Sequence, residues 1–118
     1  MNVVEIREPG GPEVLELGTR PTPQPGYGEI LIEVAAAGIN RADCLQRAGS
    51  YPPPPGATDI LGLEASGTVA AVGPGVSRYA VGDEVCALVS GGGYAEYCLA
   101  PADNTLALPE GIDMVTAG

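Results

Sequence analysis

The chain of 118 residues contains no histidine and no lysine, and all five of its basic residues are arginine. Without imidazole, this chain alone can assemble no Ser-His-Asp triad, no imidazole general base and no His-ligated metal. Fifteen Asp and Glu residues set the net charge at −10. Such a surface repels phosphate backbones and anionic lipid, so it argues against nucleic acid or a membrane as partner. Cysteine is scarce: Cys44, Cys86 and Cys98 are odd in number, far apart and form no CxxC pair. That pattern speaks against a disulfide framework and a Cys-rich zinc site, and each thiol reads as a small buried hydrophobe rather than a nucleophile. No apolar run approaches the roughly 18 residues of a membrane span, and no basic start leads into a signal-peptide core. A soluble, cytoplasmic chain is the expectation.

Turn-forming residues are abundant, with 18 Gly and 12 Pro set between short apolar runs. Frequent breaks between β-type runs predict a mainly β domain, and the length suits one domain over residues 1–118. Strands are expected at residues 2–6, 14–17, 28–37, 65–72, 85–89, 94–99 and 105–108. The first three are expected to form a hairpin-like meander, with Glu33 on the exposed phase of the third. Residues 40–48 (NRADCLQRA) hold good helix formers behind Asn40 in the N-cap position, and Gly49 stops them. Asp43 lies in the first turn, favoured by the helix dipole, and Arg47 stands four residues on as a pairing partner. Tyr51, followed by Pro52, Pro53, Pro54 and Pro55, predicts a stiff polyproline II segment. Gly91, Gly92 and Gly93 lack the strand–glycine fingerprint–helix context of a phosphate loop and read as a tight connection. Tyr94 and Tyr97 read as ordinary packing. A closed or partly closed β-barrel would remove the edges of such a sheet.

The string GINRADCLQRAGSYPPPPGATDILGLEASGTVAAVGPGV from Gly38, followed by VGDEV and GGGYAEY, resembles the zinc-free quinone oxidoreductases of the medium-chain dehydrogenase/reductase superfamily. Within that family the similarity is greatest to the p53-inducible quinone oxidoreductase-like subgroup, and it runs through essentially the whole chain. The resemblance implies a GroES-like catalytic domain, a distorted β-barrel with one or two short helices. Zinc-dependent members carry Cys where this chain has Asn40 and His where it has Leu63. Neither replacement supplies a good zinc ligand, and Glu64 alone cannot hold the ion. The cysteine-rich structural-zinc lobe is replaced by a short link over residues 88–94, so the domain is expected to hold no metal.

By the same resemblance, hydride from NADPH is delivered to a quinone or a related activated carbonyl. Asn40 is then the amide beside the nicotinamide or acceptor, and Tyr51 a phenol that stacks on or hydrogen-bonds a quinone. Asp43 is a third candidate that orients the site, although capping alone explains it equally well. Glu64 is expected to be a structural carboxylate satisfied by backbone or an arginine. No βαβ unit with a glycine-rich fingerprint is present, so the Rossmann cofactor domain is expected to lie outside this chain. The chain alone is expected to be inactive and, with its apolar cleft open, prone to self-association; the full-length protein is expected to be a homodimer. Two other readings stand beside this one: a non-catalytic GroES-like binding or assembly module, and half of a zinc-dependent alcohol dehydrogenase, which Asn40 and Leu63 oppose.

Overall fold

The computed structural model describes residues 1–49, 58 and 60–108. Asn2–Ile6 (β1) and Leu15–Thr19 (β2) pair antiparallel, with Val4 opposite Leu17. Val14, expected to open the second strand, instead closes a 3-10 turn over Pro12–Val14 and is buried. Pro12 presets the φ of that turn, and the Leu15 N–H returns to the Pro12 carbonyl.

The expected meander ends here. Pro21, Pro23 and Pro25 remove the backbone donor at alternate positions, so the chain after β2 cannot ladder. Glu29–Ala37 (β3) starts afresh in a second sheet, with Glu64–Val72 (β4), Glu84–Leu88 (β5), Tyr97–Pro101 (β6) and Thr105–Ala107 (β7). The strand order is β6-β3-β4-β5-β7, and every pairing is antiparallel.

This order forces the sheet to curl. The edge strands β6 and β7 are four places apart, about 19 Å in a flat sheet at ~4.8 Å per strand. Yet only Ala102–Asn104, a 3-10 turn, separates Pro101 from Thr105. Even fully extended, that link reaches about 14 Å. The two edges are therefore bent toward each other into a half-barrel, and Thr105 Oγ1 donates to the Pro101 carbonyl at 2.9 Å across the junction. The barrel-type, mainly β fold expected from the sequence is thus found as a curled half-barrel with one short α-helix among the described residues.

Inside the curl lie Ile30, Ile32, Val69, Val85, Cys98 and Ala100, the heart of the hydrophobic core. Ile32 faces Cys98 on one neighbour and Val69 on the other, so β3 is the central strand of this packing. The β3–β4 ladder shifts register between Leu31 and Ile32 and again between Val34 and Ala36. Bulges of this kind raise local twist and bend the sheet. Glu33 is exposed, as the alternation predicts.

Arg41–Arg47 forms helix α1 behind Asn40, whose φ of −123° and ψ of 155° are extended. Gly49, at φ 86°, ends it in the left-handed region. Arg47 does not pair with Asp43. Its Nε donates to the Gly10 carbonyl at 3.1 Å, and the Gly10 N–H donates back to the Arg47 carbonyl at 3.0 Å. These bonds tie the helix to the turn between β1 and β2. Asp43 is only 2% exposed.

Candidate active site

Two glycines let the site assemble. Gly62, at φ 108°, packs so closely on Gly93 that a Cβ would sit 2.6 Å from the Gly93 Cα. The segments they belong to run side by side, with the Gly92 and Tyr94 N–H groups donating to the Ile60 and Leu61 carbonyls, each at 2.9 Å. The Gly91–Gly93 link is therefore more than a connection: its missing side chains bring Tyr94 to helix α1. Gly38 has the same role toward Glu64. A Cβ there would meet the Glu64 carboxylate at 1.9 Å, so the carboxylate lies over bare backbone.

Glu64 opens β4 and meets Asn40, whose Nδ2 donates to its Oε1 at 3.4 Å. The sequence reading gave this carboxylate to backbone or an arginine; the partner is the Asn40 amide. Asn40 and Asp43 stand in the capping-box relation, and the Asn40 N–H donates to Asp43 Oδ2 at 3.0 Å. The same oxygen accepts from the Tyr94 hydroxyl at 2.9 Å. The other oxygen, Oδ1, is buried and accepts no hydrogen bond among the described residues. Burial first, and then the hydrogen bond and negative charge of Asp43, push the Tyr94 phenol far above the ordinary tyrosine range. Tyr94 is thus a neutral hydrogen-bond donor across the working pH range.

Of the sequence candidates, Asn40 and Asp43 come together, and Tyr51 lies outside the described residues. Leu63 is half-buried directly before Glu64. Tyr94, read as packing, was missed: its partner is 51 positions away and no local pattern marks it. Beside the Asp43–Tyr94 pair lies a mainly apolar cleft of about 400 Å³, walled by Leu15, Ile39 and Leu61. Ile39 is 82% exposed next to Asn40, so an apolar side chain stands at the rim.

Residues 26–110 match the alcohol dehydrogenase GroES-like domain family. The chain belongs to this family. The chain is 37% identical over 115 residues to the quinone oxidoreductase of Rattus norvegicus, covering 96% of this chain and 35% of the relative. The crystal structure of Escherichia coli quinone oxidoreductase complexed with NADPH is 35% identical with a TM-score of 0.89, over 99% of this chain and 36% of that one. The CurK enoyl reductase is 27% identical with a TM-score of 0.87, over 98% and 37%. The chain therefore spans about a third of the length of these relatives.

Within this GroES-like domain, no three Cys, Asp or Glu side chains gather as a metal site requires, among the described residues. The Asn40, Leu63 and Glu64 set does not fit zinc, which takes about three protein ligands with thiolate or imidazole preferred. A dinucleotide pyrophosphate does not fit these residues either: the one described α-helix carries Asp43 in its first turn, and a carboxylate there repels phosphate. The domain offers an amide, a carboxylate–phenol pair and an apolar wall. Among the described residues, no helix is long and apolar enough to cross a membrane.

Proposed function

We propose that this GroES-like domain is the catalytic part of a zinc-independent, NADPH-dependent oxidoreductase whose acceptor is a quinone or a related activated carbonyl. The observation that carries the reading is Asn40, whose side-chain amide donates to Glu64 and whose backbone N–H donates to Asp43, next to Ile39 at the rim of a mainly apolar cleft that Asp43 also lines. The similarity to NADPH-complexed quinone oxidoreductase supports it. NADPH, when bound, supplies the hydride. The role of this chain is to place the acceptor, to exclude water with Ile39, Leu15 and Leu61, and to present the Asn40 amide as a fixed donor to oxygen that gains charge. A quinone suits such a site because aromatisation of the product drives the transfer without a Lewis acid. Tyr51 remains our candidate for contact with the quinone ring. NADPH itself is held mainly by residues outside this chain, so we expect the chain alone to be inactive.

The likeness to an enoyl reductase favours a second acceptor class, the α,β-unsaturated carbonyl. The test is NADPH-dependent turnover by the longer protein that carries this chain, with an ortho-quinone and an α,β-unsaturated thioester offered separately. Turnover of the quinone in metal-free buffer, abolished by Asn40→Ala with folding intact, is the expected result. Faster turnover of the thioester transfers the proposal to the second class, and activity that needs added zinc sinks the reading.

A further inference from the structure

We propose that Tyr94 is a positioning residue for Asn40, acting through Asp43; the inference rests on the function proposed above. Among the described residues, the donors that reach Asp43 Oδ2 are the Tyr94 hydroxyl at 2.9 Å and the Asn40 N–H at 3.0 Å. A carboxylate only 2% exposed needs such donors to offset its loss of water. Its Oδ1 has none among the described residues, so the compensation falls on Oδ2. A capping carboxylate at a helix start is normally solvated and needs no tyrosine. Here it is turned inward, and the tyrosine it meets is itself clamped.

That clamp connects both arms that hold Asn40. The Tyr94 N–H donates to the Leu61 carbonyl, and its own carbonyl accepts from the Val4 N–H, each at 2.9 Å. Leu61 leads within three residues to Glu64, which accepts from the Asn40 side chain. The Tyr94 backbone thus sets the strand entry that carries Glu64, and its phenol sets the helix entry that carries Asn40. Removal of the hydroxyl leaves buried Asp43 with the Asn40 N–H as its remaining donor among the described residues. The carboxylate then turns toward water and draws the Asn40 peptide with it. A shift of this kind changes the direction of the Asn40 amide while the apolar walls Leu15, Ile39 and Leu61 of the cleft, which Asp43 and Tyr94 also line, stay in place. It therefore acts on the transition state more than on acceptor binding.

The test is Tyr94→Phe, which keeps the ring and its packing. In this chain, amide exchange at Asn40 is expected to accelerate about tenfold, the scale of one weakened hydrogen bond. In the longer protein, kcat for the ortho-quinone is expected to fall about tenfold with KM nearly unchanged. Asp43→Asn should lower the same parameter, and the double variant should lose little more than either single one, because both act along one path. A Tyr94→Phe protein that keeps its kcat while the wild type is active overturns the positioning role, as do losses that simply add in the double variant. A wild type that turns over neither acceptor removes the proposed function itself, a different failure read before any variant is made.

Discussion

The Asn40 side chain donates to Glu64 across 24 positions, and Gly38 is the residue that leaves room for the acceptor. At 3.4 Å the bond is long, so its strength lies less in energy than in direction. One N–H of the amide is committed to Glu64, which fixes where the remaining N–H and the carbonyl point. The Gly38 N–H also donates to the Glu64 carbonyl at 3.2 Å, so backbone and side chain of Glu64 are held by the same short loop.

Gly38→Ala tests this arrangement. The new methyl group would stand 1.9 Å from Glu64 Oε1, and the carboxylate, the end of a flexible side chain, must swing away. The stability cost is expected to be modest, about 1 kcal/mol, because core packing is untouched. Activity of the longer protein should fall nearly as far as in Asn40→Ala. Urea midpoints and kcat measured side by side check the pairing; a stable variant with wild-type kcat would show that Glu64 does not orient Asn40.

Asn40→Asp is a sharper probe, because Asp caps a helix as well as Asn does and leaves helix propensity unchanged. It places a second carboxylate beside Glu64. Like charges at this range raise the folded-state pKa of the pair, so the penalty appears as pH rises through the usual carboxylate range and is absent below it. At pH 7 the variant should be about 1 kcal/mol less stable than wild type, and equal to it near pH 3. Adding Glu64→Gln should recover most of the loss, which urea denaturation at both pH values can read.

What could be read from the chain divides along distance in sequence. The start of α1 at Asn40, its end at Gly49 and the outward phase of Glu33 follow from local rules, and all are found. The position of β3 between β4 and β6 does not, since strand order depends on where long loops deliver each run. The expected pairing of Asp43 with Arg47 failed for a related reason. Spacing offered Arg47, but spacing cannot show that the helix face bearing Asp43 is buried against Tyr94. Glu64 was assigned a generic partner because its true one, Asn40, comes near only through a glycine whose vacancy is visible in three dimensions.

The same distinction between vacancy and conformation predicts unequal losses for two glycines of the half-barrel. At Gly67 a Cβ would lie 2.0 Å from the Glu33 carbonyl oxygen, which is backbone locked in the β3–β4 ladder between two register shifts. Gly67→Ala is expected to cost about 3 kcal/mol or more, since relief requires the central strands to separate. Gly82 has open space around it but sits at φ 99°, so Gly82→Ala costs only the backbone strain, about 1 kcal/mol. Thermal unfolding of both variants ranks them; near-equal losses would contradict the bulge as the tight point of the sheet.

Cys98 supplies the pH dependence. It is 2% exposed within the core, and burial pushes its thiol from 9.0 up to about 11. The folded chain holds this proton over a range where the unfolded chain releases it. Its contribution is therefore complete below pH 9 and falls away as pH rises toward 11, by about 2–3 kcal/mol at ~1.4 kcal/mol per pH unit. Tyr94 acts in the same direction from about pH 10 upward, because its phenol is also raised by burial and by Asp43. Denaturation midpoints at pH 8 and pH 10.5 should show the decline. Cys98→Ala, though less stable at pH 8 from the volume it removes, should decline less steeply between the two. At pH 8 a thiol reagent should modify the half-buried Cys44 and Cys86 first and reach Cys98 only through opening of the sheet. If Cys98 reacts as fast as the other two, β6 is not closed over the core at Cys98, opposite Ile32 of β3, as the packing requires.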